Sequence, residues 1–266
     1  MVVFPNAKIN IGLAVTAKRS DGFHEIETIM YPVRVFDALE IVPSSALSFT
    51  SSGIEIPGST STNLCVKAYH LIKNDFDIPE VHIHLHKNIP VGAGLGGGSS
   101  DAAYTLIALN NLFNLSIDNG KLQHYARLLG SDCAFFIENK PVFAYEKGDV
   151  FEQIYFHWKF NVVIVYPEIH ISTAKAYSGI IPSNKNAGVL RKINFEPEKW
   201  KGFIENDFEE TIFKKHQQIK TIKDEFYAAG AIYSAISGSG SAVYGIFDKQ
   251  VKLPALEKLG KVFYEI

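Results

Sequence analysis

PVGAGLGGGSSDAA, residues 90–103, is the stretch on which the reading of this chain turns. Five glycines (Gly92, Gly94, Gly96, Gly97 and Gly98) fall within seven positions, and Ser99 and Ser100 open what the spacing predicts as a helix. Glycine has no Cβ, so such a segment takes positive φ and brings backbone N–H groups close to an anion. The helix start adds unpaired N–H donors and the positive end of its dipole. Pro90, Val91, Ala93 and Leu95 complete the loop, and a nucleotide's phosphates are the guest it fits.

On the downstream side, Ala102, Leu106, Leu109 and Phe113 follow helical spacing. Asp118 is expected to cap a second helix that ends at Gly130. On the upstream side, residues 81–86 alternate strictly, with Val81, Ile83 and Leu85 on one face and His82, His84 and His86 on the other. This is the pattern of a half-buried strand. Three histidines at period two invite a zinc reading. No Cys, Asp or Glu with ligand spacing accompanies them, so an exposed sheet face is favoured and no metal ligand is assigned. Farther upstream, Thr62 is expected to cap a helix carrying Leu64, Ala68, Leu71 and Ile72, and strands are expected at 8–15, 28–33, 38–42 and 47–50.

Strands at 141–145 and 151–155 close the first half, and a second half is expected from residue 159, giving domains 1–158 and 159–266. It holds a strand at 161–166, a short helix at 172–178, a polar connection at 184–200 and helices at 203–216 and 218–229. A hairpin follows, with strands 231–237 and 242–247 around a tight Gly238-Ser239-Gly240 turn. A helix at 254–259 and a strand at 261–265 finish the chain. The order β-α-α-β-β-α-β predicts an α+β unit of the ferredoxin-like kind.

Composition bounds the rest. The 266 residues suffice for one large domain or two smaller ones, and 47% hydrophobic with 20% charged residues is ordinary globular usage. A net charge of −2 gives no global attraction to nucleic acid or anionic membrane. Cys65 and Cys133 lack metal-ligand spacing and read as buried thiols of a reducing cytoplasm. Neither a signal peptide pattern nor an apolar run of about 18 residues is present, so a soluble cytoplasmic protein is expected, as monomer or homodimer.

Three glycine-loop chemistries compete. Walker A needs Gly-Lys followed by Ser or Thr, and both Gly-Lys pairs fail: Gly120-Lys121 precedes Leu122 and Gly260-Lys261 precedes Val262. Gly92, Gly94 and Gly97 match a dinucleotide fingerprint, with Asp118 about 20 positions on. Lys87-Asn88-Ile89-Pro90 separates that glycine run from its strand, however, and no apolar strand leads into Asp118. Proline's fixed φ also suits an extended approach rather than a tight turn.

The third reading is a resemblance. Residues 90–103 resemble the phosphate loop of the GHMP small-molecule kinases, and the fuller form GLGGGSSDAA resembles one branch whose acceptor alcohol carries a cytidine diphosphate. NAKINIGL at 6–13, followed by RSDGFHE at 19–25, is similar to that branch's N-terminal signature. SGSGSA at 237–242 is similar to the family's C-terminal glycine motif. The three motifs span essentially the whole chain. Departures exist: Phe23 replaces a Tyr, Asn6 and Ala134 replace prolines, Glu146 a glycine and Asp149 a Glu. None removes a group the chemistry needs, although Phe23 lacks one phenolic hydroxyl.

The resemblance implies a two-domain α+β fold, with an N-terminal domain of the ribosomal-protein-S5-like type, and ATP-dependent phosphorylation of a small-molecule alcohol with Mg²⁺. By itself Asp132, after Gly130, reads as a loop or cap residue and Lys8 as a lysine on a half-exposed strand. The resemblance makes Asp132 the catalytic base and Lys8 its charged partner. Asn10 shares Lys8's face by strand period. Phe23 and His24 become the cytosine-reading pair, against a core aromatic and a solvated histidine. Tyr177 is as well placed in a core as on the base's other side. Asn63 is either an adenine reader or a helix cap. Residues 90–100 would embrace the ATP phosphates, with Gly238 and Ser239 close to phosphates and acceptor. Rival readings are another GHMP kinase or a catalytically silent sensor of the same fold.

Overall fold

The computed structural model describes residues 1–155, 160–183, 187–188 and 197–264. Its strands are β1 (Val2–Val3), β2 (Asn6–Lys18), β3 (His24–Phe36), β4 (Ala38–Pro43), β5 (Ser48–Gly53), β6 (Val81–Lys87), β7 (Val142–Tyr145), β8 (Val150–Gln153), β9 (Asn161–Tyr166), β10 (Tyr233–Ile236), β11 (Val243–Phe247) and β12 (Lys261–Tyr264). The helices are α1 (Leu64–Asp75), α2 (Gly97–Leu112), α3 (Asn119–Leu129), α4 (Phe135–Glu138), α5 (Thr173–Ser178), α6 (Phe208–Lys215) and α7 (Gln217–Ala228). The chain forms two compact units, each discontinuous in sequence. One holds residues 1–7, 35–91 and 96–140; the other holds 8–34, 92–95 and 141–266. The boundary expected at 158/159 lies outside the described residues, as does most of the 184–200 connection.

The first unit is a four-stranded sheet in the order β1-β4-β6-β5, with α1, α2 and α3 packed on one another. Alternation in β6 is as read: Val81, Ile83 and Leu85 are buried while the three histidines face away. Parallel β5 sets Ser48, Thr50 and Ser52 opposite His82, His84 and His86. Its hydroxyls bond the imidazoles, Ser48 Oγ to His82 Nδ1 at 2.8 Å and Thr50 Oγ1 to His84 Nδ1 at 2.8 Å. This is a polar sheet face with its partners supplied. The α1 cap is Asn63 rather than Thr62, because Thr62 lies in a 3-10 turn (Thr60–Thr62) and its hydroxyl donates to Ser59 O at 2.8 Å. Asp118 caps α3 as expected, accepting from Lys121 N at 2.8 Å.

The second unit holds two four-stranded sheets, β2-β3-β7-β8 and β10-β11-β9-β12. The latter is antiparallel throughout, and its order is that of a ferredoxin-like sheet. A core of Val163, Val165, Phe208, Ile212, Ile219, Ile222, Phe226, Val243 and Phe247 joins its helices to its strands. Strands β2 and β3 run 13 residues each, longer than the apolar patterns at 8–15 and 28–33. In β2 burial extends from Asn6 to Val15 on both faces, so Asn6, Lys8 and Asn10 lie inside and interrupt the apolar signal.

Three further expectations change. The helix at 203–216 starts at Phe208, because Asn206 turns its side chain to Ile236 O and Gly238 O and caps Phe208 N at 3.0 Å. The helix at 254–259 is a single 3-10 turn, Leu256–Lys258. The hairpin connection is a six-residue loop, 237–242, closed by Ser237 N donating to Ala242 O at 2.9 Å. Cys65 and Cys133 are buried free thiols. No helix among the described residues is long and apolar enough to cross a membrane.

Candidate active site

Lys8 and Asn10 sit two positions apart on β2, so they share a face, and both are buried. The Lys8 ammonium donates to Asn10 Oδ1. Asn10 Nδ2 donates in turn to Thr28 Oγ1 at 3.0 Å, so both polar side chains are held in place. Around this strand two glycine loops converge within the second unit. Lys8 N donates to Leu95 O at 2.9 Å, Ala242 N to Ala93 O at 3.0 Å, and Ser237 Oγ to Gly94 O at 2.8 Å. The same serine oxygen accepts from Asn10 N at 3.2 Å.

Glycine is required where these loops touch. At Gly94 (φ +80°) a Cβ would stand 2.0 Å from Ser237 O, and at Gly238 (φ +54°) it would stand 3.3 Å from Asn10 Oδ1. Gly92 packs on His170, whose ring carbon lies 2.7 Å from the position a Cβ would take. Beside Gly238, the Ser239 hydroxyl donates to Thr173 Oγ1 at 3.3 Å. The structure thus brings together Lys8, Asn10, Gly92–Leu95 and Gly238.

The cytosine candidates lie in the same unit. His24 and Tyr177 stack on each other, with ring centroids 4.8 Å apart and planes inclined by 25°. Tyr177 also meets Phe208 edge-on and packs against the core of the second unit, as its core reading expects. Phe23 is 55% exposed on its loop and faces the Lys147 ammonium, 5.4 Å from its ring. Phe23 N donates to Asp21 Oδ1, and Arg19 pairs with Asp21 and Glu25, which shapes the turn.

The remaining candidates belong to the first unit. Gly96 precedes α2 in left-handed conformation (φ +70°), with no side chain to cap the helix and no acidic residue in its first turn. The first-turn amides of α2 therefore have no side-chain partner from a cap. A Cβ on Gly98 would meet nothing within 4 Å, so the fold itself does not demand glycine there. Ser100 Oγ is buried without a hydrogen-bond partner. Bare amides, open space and an orphaned hydroxyl at a positive helix end fit a phosphate chain.

Ser99 bonds the Cys133 thiol, and burial, with Asp132 adding to it, pushes that thiol up to about 12. Asp132 is half-buried in the turn that leads from Gly130 into α4. Asn63 accepts from Cys65 N at 2.8 Å and also lines a cavity of about 160 Å³ with Phe49, Ser51, Ile56, Gly58 and Thr60. The cap reading therefore holds, and the cavity lies beside it.

Sequence reasoning missed the groups that hold these loops. Ser237 opens the SGSGSA run at 237–242, where the glycines carry the motif. Asn206 and Thr28 carried no signal, since single polar residues in strands and loops are common. Also missed was a buried triad: Lys87 bonds Asp101 at 2.7 Å and Asp37. Asp37 Oδ1 further accepts from Asn88 N and Ile89 N at 2.6 and 2.8 Å, whereas Asp101 Oδ1 has no partner. Burial pushes the Asp101 carboxyl up to about 7 despite Lys87. Burial also works against the Lys87 charge, but Asp101 and Asp37 outweigh it and raise its pKa.

Two family profiles match the chain: GHMP kinases N terminal domain over residues 63–140, and GHMP kinases C terminal over residues 197–265. With the two-domain α+β architecture, these matches make the chain a GHMP kinase, an ATP-dependent small-molecule kinase. It is 51% identical over 251 residues to the 4-diphosphocytidyl-2-C-methyl-D-erythritol kinase of Azobacteroides pseudotrichonymphae, covering 94% of both chains. It is 47% identical to the enzyme of that name from Cytophaga hutchinsonii, covering 93% of both. A crystal structure of a 4-(cytidine 5'-diphospho)-2C-methyl-D-erythritol kinase superposes with a TM-score of 0.81 at 28% identity, over 99% of this chain and 98% of that one. The chain belongs to the family of 4-diphosphocytidyl-2-C-methyl-D-erythritol kinases. A homoserine kinase from Cytophaga hutchinsonii, 16% identical at a TM-score of 0.70 over 98% and 94% of the two chains, shares the fold alone.

Proposed function

We propose that the chain transfers the terminal phosphoryl group of ATP to the 2-hydroxyl of 4-diphosphocytidyl-2-C-methyl-D-erythritol, giving the 2-phosphate and ADP. This is a step of the non-mevalonate (methylerythritol phosphate) route to isoprenoid precursors. The observation that carries the reading is the buried Lys8–Asn10 pair on β2, bonded through Ser237 and Leu95 to the first half of the glycine loop. The relatives above supply the acceptor.

Asp132 orients the acceptor hydroxyl and takes its proton as the new O–P bond forms, while the bond to the β-phosphate oxygen breaks and its electron pair leaves with ADP. Lys8, held by Asn10, offers fixed positive charge to the acceptor oxygen. The Gly92–Gly98 amides, Ser99 and Ser100 hold the phosphates, with Pro90 and Val91 setting the approach, while Gly238 and Ser239 border the acceptor. Asn63 and its cavity take the adenine. Phe23, His24 and Tyr177 read the cytosine by stacking and by hydrogen bonds to the base edge.

Mg²⁺, when bound with ATP, would supply charge screening of the nucleotide phosphates. Such a cation commonly keeps several of its own waters and is bound largely by the phosphates it screens. A panel of alcohols assayed by ADP release tests the acceptor: the cytidine-linked methylerythritol should be preferred over galactose, homoserine and mevalonate. Preference for any of those three would overturn the assignment.

A further inference from the structure

Lys87 closes β6 and Asp101 lies in the second turn of α2, so the glycine loop leaves from one and returns to the other. Their side chains meet at 2.7 Å across 14 residues of sequence. Asp37, from the connection between β3 and β4, accepts from the same ammonium and from the backbone amides of Asn88 and Ile89. The chain entering the loop is thereby fixed just before Pro90. On the returning side, Gly97 rests against the lysine head: a Cβ there would stand 2.9 Å from Lys87 Nζ and 2.8 Å from Ile89 Cγ2. All of these groups lie in the first unit.

We propose that Lys87 is a positioning residue for the nucleotide: its ammonium, shared by Asp37 and Asp101, pins the entry and exit of the phosphate loop together and fixes the first-turn amides of α2. The inference rests on the nucleotide-binding role of that loop. A buried charge triad is a poor source of stability compared with apolar packing, so its presence here is better explained by geometry than by fold energy. The hydrogen-bond inventory is asymmetric. Asp37 is held by three donors, whereas Asp101 accepts from Lys87 alone and meets Asp37 only as one carboxyl against another, so the tie to the helix runs through the Asp101 side chain and Asp101 is the point at which to cut it. The other titratable group packed on the triad is the Cys65 thiol of α1, which burial pushes up and keeps neutral.

Two substitutions separate the tie from the charge. Asp101→Asn keeps an oxygen that can accept from Lys87, whereas Asp101→Leu has similar size and no acceptor, and in both the ammonium keeps Asp37. Two measurements apply: steady-state KM for ATP and for the acceptor, and amide hydrogen exchange of residues 96–100 in the nucleotide-free protein. Asp101→Leu should raise the KM for ATP at least tenfold, leave the acceptor KM within twofold, and speed exchange at those amides at least tenfold. Asp101→Asn should recover most of both changes. Unchanged exchange and an unchanged ATP KM in Asp101→Leu, with only a lower Tm, would make the triad a structural brace and overturn the proposal. The exchange measurement needs no turnover, so it judges the clamp even if the nucleotide role of the loop fails in the wild type.

Discussion

Ser237 donates its hydroxyl hydrogen to the Gly94 carbonyl at 2.8 Å, joining two glycine loops 143 residues apart. The missing side chain at Gly94 makes the approach possible, since a Cβ would stand 2.0 Å from Ser237 O. Gly94→Ala would combine that collision with a left-handed backbone, which alone costs an alanine about 1–2 kcal/mol. Its kcat/KM for ATP should fall by at least about tenfold, the equivalent of 1.4 kcal/mol, and its Tm should fall with it. Steady-state kinetics and a melting curve check both.

Gly98 is the converse case. A Cβ there meets no protein atom, and alanine gains up to about 1 kcal/mol over glycine inside a helix. Gly98→Ala should melt no lower than the wild type yet show a raised KM for ATP. A variant with unchanged KM would remove this amide from the phosphate site.

Asn63 both caps α1 and lines the cavity beside it, and two substitutions divide those duties. Asn63→Ala loses the cap, at about 1 kcal/mol, and the amide together. Asn63→Asp keeps an oxygen for Cys65 N but loses the amide hydrogens. The KM for ATP should rise in both, while Tm falls only in the alanine variant. If aspartate restores the KM, Asn63 acts only as a cap.

Much of this was legible in the sequence, for identifiable reasons. The helix after the glycine run, the β6 alternation and the Asp118 cap each follow from local chain properties, and the structure bears all three out. The length of β2 was not legible, because its buried polar residues Lys8 and Asn10 break the apolar pattern. The roles of Ser237 and Asn206 were also hidden. Each acts on backbone carbonyls exposed by a glycine loop, and such contacts are created by the fold rather than by neighbours in sequence. Lys87 and Asp101 looked like ordinary charged residues, since a pair 14 positions apart has no periodicity to reveal it.

Asp101 also sets a pH dependence. Its carboxyl is ionised above about 3.9 in an unfolded chain, whereas burial holds its proton up to about 7 in the fold. The folded state therefore binds the proton more tightly, and this group's contribution to stability declines as pH rises from about 4 to about 7, then levels. Asp101→Asn has no such proton. The Tm of the variant minus that of the wild type should widen across that window and stay constant above it. A difference independent of pH would mean that the carboxyl is ionised throughout.

Asp132 is assigned the proton of the acceptor hydroxyl. Asp132→Asn should lower kcat by roughly 10²–10⁴-fold, the usual range for a general base, while calorimetry finds ATP binding within about twofold of wild type. Comparable turnover in the variant would take Asp132 out of the chemistry.

The most direct test of the central claim is the identity of the product. Phosphorus NMR and mass spectrometry of a reaction containing ATP, Mg²⁺ and 4-diphosphocytidyl-2-C-methyl-D-erythritol should show one new phosphate monoester at the 2-position for each ADP formed, with the cytidine diphosphate intact. ADP and inorganic phosphate without the ester, or a phosphate on another oxygen, would contradict the account.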